Sequence, residues 1–202
     1  MTTRKPVFYG ILALVSLLGL GITQPARASF ITTIDQVGTD VVATGSGTID
    51  LAGLTFLFPA GLGGAGVNPS FGVFNTAGGP VDLYSGVSGP TSFGSAAFFE
   101  SANFSSGDPV AIQGAFGRLA VPEGFLTGNP LSATFTFNNA TFASLGITSG
   151  IYTWTWGTGA HADSFTLFAG VPVPTPDTGS SLSLLLIATG LVLCAARKRR
   201  AA

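Results

Sequence analysis

Between residues 29 and 170, apolar and polar side chains alternate one by one over short runs, and no convincing helical period emerges. The clearest runs are "TFLFP" (55 to 59), "TFTFN" (134 to 138), "YTWTWG" (152 to 157) and "DSFTLFAG" (163 to 170). Successive side chains of a strand point to opposite faces, so these runs predict half-buried strands. In "TWTW" the two indoles, Trp154 and Trp156, share one face and the threonines the other. Residues with turn chemistry punctuate the runs: "GSG" (45 to 47), "AGGP" (77 to 80), "SSGDP" (105 to 109) and "GNP" (128 to 130) read as turns. The glycine-rich stretch 61 to 69 reads either as a turn or as a long disordered loop. The spacing predicts roughly ten to twelve strands. The fold class is therefore all-β, an antiparallel β-sandwich or jelly roll with a core built largely from phenylalanine. A barrel around a ligand lumen is the second architecture. An outer-membrane barrel is not expected, because the strands are short and polar lumen residues are scarce.

Charge changes the picture by its placement. The formal net charge of the chain is -1, but the signs are segregated. Seven of the eight basic residues stand at the ends, and Arg118 alone lies between residues 29 and 176. That span holds eight carboxylates, so eight less one leaves the body at -7. A body without a basic patch has no footprint for nucleic acid, and that class of partner is excluded.

The ends carry their own patterns. Residues 1 to 28 read as a secretory signal peptide. Arg4 and Lys5 supply the charged start, and "ILALVSLLGLGI" (11 to 22) the apolar centre. Ala26 and Ala28 then put small residues where a signal peptidase inspects the chain, with cleavage before Ser29. As a helix the apolar centre reaches only about 18 Å, well short of the roughly 30 Å of a bilayer core. The sole cysteine, Cys194, lies in the C-terminal apolar run. The body thus has no disulfide, thiolate metal site or thiol nucleophile.

Candidate chemistry in the body is sparse. His161 is the only histidine, with Asp163 and Ser164 close by. On a strand His161 and Asp163 would share a face and Ser164 would point away, which is not how a triad converges. The expectation is a non-enzymatic protein. One imidazole and no body thiols are too few for a zinc site. No cofactor is expected; Ca2+, which needs only oxygen ligands, is the one metal left open, and no D-x-D-x-D-G loop marks a place for it. Trp154 and Trp156 are candidates for glycan stacking, with core packing as the simpler account of two aromatics on a strand.

After residue 170 comes a Pro-rich spacer with an acid-glycine point, "VPVPTPDTGSS" (171 to 181). The apolar run "LSLLLIATGLVLCAA" (182 to 196) follows, then Arg197, Lys198, Arg199 and Arg200. The run makes a helix of about 22 Å, short for a stable span but workable with snorkelling arginines. A basic end stays cytoplasmic, which leaves the body outside the membrane. The predicted organisation is a signal peptide (1 to 28), a β-domain (29 to 170), a spacer (171 to 181) and a transmembrane helix with basic stop (182 to 200).

This three-part tail resembles the PEP-CTERM class of bacterial sorting signals, in particular its VPDSG-type variant. By position the motif falls on Pro176, Asp177, Thr178 and Gly179, with Thr175 in place of the variant's Val and Thr178 in place of its Ser. Three stretches of the body also look like a recurrent family of exported PEP-CTERM proteins: 34 to 56, 81 to 94 and 140 to 167. The resemblance implies recognition by a membrane-embedded exosortase, delivery to the cell envelope, cell surface or exterior, and association with exopolysaccharide. It implies no particular activity. "TPDTG" (175 to 179) is also one residue from a sortase L-P-x-T-G signal, so sortase anchoring stands as an alternative; a secreted carbohydrate-binding module using Trp154 or Trp156 is another.

Overall fold

The structure, a computed structural model, describes residues 29–174. The segments read as signal peptide, Pro176–Gly179 motif, apolar run and basic stop lie outside the described residues. By contacts the chain divides into two units, Met1–Gly170 and Val171–Ala202, of which residues 29–170 and 171–174 are described. Among the described residues no helix is long and apolar enough to cross a membrane.

The described part of the first unit is all-β, with thirteen strands in two sheets. The six-stranded sheet contains β1 (Ser29–Val37), β2 (Asp40–Gly47), β8 (Phe104–Gly107), β11 (Leu131–Phe137), β12 (Gly150–Trp156) and β13 (Asp163–Ala169). Its order is β12-β13-β1-β2-β11-β8. The seven-stranded sheet has β3 (Thr55–Leu62), β4 (Gly66–Asn68), β5 (Val73–Asn75), β6 (Gly79–Ser85), β7 (Glu100–Ser101), β9 (Ala111–Gln113) and β10 (Arg118–Pro122). Its order is β3-β6-β10-β9-β5-β4-β7.

One apolar cluster draws on both sheets. Phe165 of β13 is its hub: its ring lies 5.4 Å from Phe30, 5.8 Å from Trp154 and 6.1 Å from Phe74 of the opposite sheet. Phe74 also meets Phe135 at 5.2 Å. Tilted and edge-on contacts of this kind suit the ring quadrupole and add to the hydrophobic gain of burial. Phenylalanine does build much of this core, yet Phe56, Phe58, Phe71, Phe98, Phe99, Phe104 and Phe116 are exposed.

Four expectations are corrected. The six-stranded sheet is not wholly antiparallel, because β1 runs parallel to β13, with Phe30 opposite Phe165. Sequence neighbours can close an antiparallel hairpin, but this pair joins the two ends of the domain and no turn dictates its direction. "GSG" is not a turn: Gly45 and Gly47 are inside β2, flanked by β1 and β11. A Cβ at Gly45 would stand 2.9 Å from the Phe30 ring, so glycine here answers to close packing. "SSGDP" likewise supplies Ser105–Gly107 to the edge strand β8. The stretch 61 to 69 forms the end of β3, a short connection and β4.

Strand β3 departs from simple alternation. A bulge shifts its register between Phe56 and Phe58, which face Tyr84 and Leu83 of β6 respectively. Adjacent residues on β6 point to opposite faces, so the bulge sends the two phenylalanines to opposite sides of the sheet.

A pair of matching hairpins stands in the seven-stranded sheet. In each, a three-residue strand leads into a 3-10 turn, Pro69–Phe71 or Gly114–Phe116, and a left-handed glycine, Gly72 or Gly117, caps the turn just before the return strand. The Gly114 N–H donates to the Gly72 carbonyl at 2.9 Å, and the rings of Phe71 and Phe116 lie parallel, 6.2 Å apart. Only "FG" recurs at the turn itself, too short a repeat to register in the sequence.

Candidate functional site

One end of the six-stranded sheet gathers the residues the sequence singled out. Trp156 closes β12, Asp163 opens β13, and the 3-10 turn Gly159–His161 joins them. The loop after β2 brings in Asp50, which the sequence reading did not single out among the body's carboxylates. His161 Nδ1 and Asp50 Oδ2 are 2.8 Å apart, while the imidazole itself is 66% exposed. Asp50 Oδ1 accepts the Ala52 N–H at 2.9 Å. That backbone hydrogen bond, then the one from His161, holds the Asp50 carboxyl below the usual range.

Asp163 behaves differently. It is 5% exposed, and its two oxygens accept the N–H groups of Asp50 and Ser164, each at 2.6 Å. Burial pushes its pKa up to about 6, against the opposing pull of those two hydrogen bonds. The Trp156 indole N–H donates to the Asp50 carbonyl at 2.7 Å. Asp163 and Trp156 therefore clamp the backbone of Asp50 from two sides. His161 and Asp163 do not meet, since His161 pairs with Asp50. This is a loop anchor in which Asp163 and Trp156 hold the Asp50 backbone and His161 reaches the Asp50 carboxylate through Nδ1.

Both tryptophans are buried, Trp154 at 0% and Trp156 at 4% exposure. The Trp154 N–H donates to the Pro90 carbonyl at 2.7 Å. They do share a face, and that face is the core. A stacking platform needs an open ring, so the glycan-stacking role for Trp154 and Trp156 is corrected to core packing. Among the described residues no group of three His, Cys, Asp or Glu side chains is placed to hold a metal ion. Ser29, the first residue after the expected cleavage, starts β1 opposite Ser164.

The outer face of the six-stranded sheet is the surface with the most regular chemistry. Strand pairing aligns Thr153, Thr166, Ile31, Ser46 and Ser132 in one row across five strands. The next row runs Ile151, Phe168, Thr33, Thr44, Thr134 and Ser106 across all six. Thr33 and Thr44 hydroxyls meet at 2.9 Å, and those of Thr153 and Thr166 at 3.2 Å. The strand carboxylates of this face, Asp35 and Asp40, both stand by the β1–β2 turn. At the β8 edge a recess of about 160 Å³ is lined by Phe104, Ser105, Ser106, Thr134, Phe135 and Thr136. The sequence offered little signal for this edge, since "FSSG" holds one apolar residue and runs straight into turn chemistry.

The described residues define an all-β protein of two packed sheets with a charge-poor, hydroxyl-rich face. No protein-family model matches the chain, no curated protein matches it, and no solved structure matches it.

Proposed function

We propose that this is an exported, non-enzymatic protein of the bacterial cell surface or extracellular matrix, a β-sandwich delivered by a PEP-CTERM-like tail. The observation that carries this reading is the order of parts in the tail: a Pro-Asp-Thr-Gly point, a short apolar run and a four-residue basic stop. With a signal peptide at the other end, the chain starts across the membrane and halts with its body outside. A transmembrane helix over 182 to 196 holds it there until an exosortase-type enzyme acts at Pro176–Gly179. Exopolysaccharide is the expected surrounding. A non-enzymatic role is supported by the way His161, Asp163 and Trp156 are engaged in anchoring the Asp50 loop.

Mass spectrometry of the exported protein tests the reading. The mature chain is expected to begin at Ser29 and to lack the residues beyond Pro176–Gly179. An intact Arg197–Arg200 end on surface protein overturns tail processing. Loss of processing in a host deleted for its sortase, with the exosortase retained, overturns the exosortase assignment in favour of sortase anchoring.

A further inference from the structure

We infer that the outer face of the six-stranded sheet binds a neutral polysaccharide, with Phe104 as the stacking ring and the hydroxyls of Ser106, Thr134 and Thr136 as its polar partners. The inference goes beyond export and rests on residues outside the tail. A pyranose ring presents an apolar face of C–H bonds and a rim of hydroxyls. The β8 edge offers the complement of both. Phe104 is 67% exposed beside the recess, and serine and threonine side chains border it. In the pairing register Phe104 lies opposite Thr136, and Ser106 opposite Thr134.

The edge is held in place before any ligand arrives. Asn103 Oδ1 accepts the Asn138 N–H at 2.7 Å at one end of β8, and Asp108 Oδ2 accepts the Ser132 N–H at 2.8 Å at the other. Thr134 donates its hydroxyl hydrogen to the Ala43 carbonyl at 3.1 Å, which leaves its oxygen lone pairs to accept from a ligand. Preorganised donors and acceptors of this kind reduce the entropy lost on binding.

Charge and shape select the ligand class. No ionisable side chain lines the recess, so neither an anionic nor a cationic polymer finds a counter-charge there. At about 160 Å³ the recess is smaller than the roughly 300–1,000 Å³ of a pocket that engulfs a whole small ligand. It takes one ring of a chain whose other units lie along the hydroxyl rows. In the row that reaches the recess the hydroxyls run from Thr33 to Ser106 across four strands, roughly 14 Å at about 4.8 Å per strand. Regular hydroxyl arrays can also meet ice, but a twist of roughly 20° per strand fans the rows out of one plane. A rigid lattice loses register across such a fan, whereas a flexible glycan follows it.

The test uses the purified full chain against an array of neutral hexopyranose oligosaccharides, with oligogalacturonate as the anionic probe, followed by calorimetry on the best ligand. Binding to a neutral oligosaccharide is expected, unchanged between low and high salt. Phe104→Ala and Thr134→Val should each weaken it roughly tenfold, Phe104→Ala without shifting the melting temperature and Thr134→Val with only the small shift of losing the Ala43 hydrogen bond, and His161→Ala should leave binding unchanged. The inference is overturned by binding to no neutral oligosaccharide, or by binding that neither variant weakens. Salt-sensitive capture of oligogalacturonate alone, or ice-recrystallisation inhibition without glycan binding, also overturns it. None of these outcomes depends on where the tail is cut.

Discussion

The backbone N–H of Asp50 donates to Oδ2 of Asp163 across 113 positions of sequence, at 2.6 Å. This contact ties the loop that leaves β2 to the start of β13. It also couples the loop's stability to a carboxyl that titrates close to neutrality.

Asp163→Asn should destabilise the domain by about 1–3 kcal/mol, because an amide N–H2 replaces one acceptor and faces a backbone donor. The folded pKa, about 6, lies above the ordinary 3.8. The folded state therefore binds the extra proton between those values, and Asp163's contribution to stability is greatest below pH 4. It declines as pH rises through 6. The difference between wild type and Asp163→Asn should accordingly widen as pH falls from 7 to 4, by about 3 kcal/mol at most. Urea unfolding of both proteins across that range measures it. A difference that narrows towards acid would be incompatible with a raised pKa.

His161→Ala should cost no more than about 1 kcal/mol, as expected for a largely solvated pair. Asp50→Ala should cost more, roughly 1–2 kcal/mol, because it also removes the acceptor for the Ala52 N–H. The depressed pKa of Asp50 gives it the opposite pH signature to Asp163. Its contribution is present above the ordinary carboxylate range and is lost as pH falls through the folded value. Parallel melts of the two variants at neutral pH rank them.

Trp154→Phe should destabilise by about 2–4 kcal/mol, combining lost volume at a fully buried site with an unpaired Pro90 carbonyl. In the native wild type the indole emission should be blue-shifted and resistant to acrylamide. Easy quenching of both tryptophans would contradict their place in the core.

Gly47→Ala should be among the most damaging single-methyl changes. Gly47 sits at φ +147°, and an added Cβ would collide with the Ser29 carbonyl oxygen. Overpacking of this kind costs at least roughly 1–3 kcal/mol. Gly63→Ala, where the added carbon meets open space, should fall within about 0.5 kcal/mol of wild type. Thermal melts of the pair separate a structural glycine from a permissive one.

Several elements were legible because local pattern and tertiary role coincide. "YTWTWG" and "DSFTLFAG" became β12 and β13, and they carry their apolar alternation straight into the core. Where the two diverge, reading failed. The two- and three-residue strands β4, β5, β7 and β9 are too short to show any period. "GSG" has turn chemistry, but its glycines answer to the Phe30 ring and the Ser29 carbonyl. The alternation of "TFLFP" places both phenylalanines on one face, and a bulge places them on two.

The sequence by itself determined the all-β class, the pairing of Trp154 with Trp156 on one face and the near absence of positive charge from the body. Each follows from composition or from a period of two, both properties of neighbouring residues. Only the tertiary structure decided that the tryptophans face inward, that His161 meets Asp50 instead of Asp163, and that separate Ser and Thr residues align into rows. Those outcomes depend on strand register and sheet order. Register is set by long-range packing, such as Phe165 against Phe30 and Phe74, in which no partner is a neighbour along the chain.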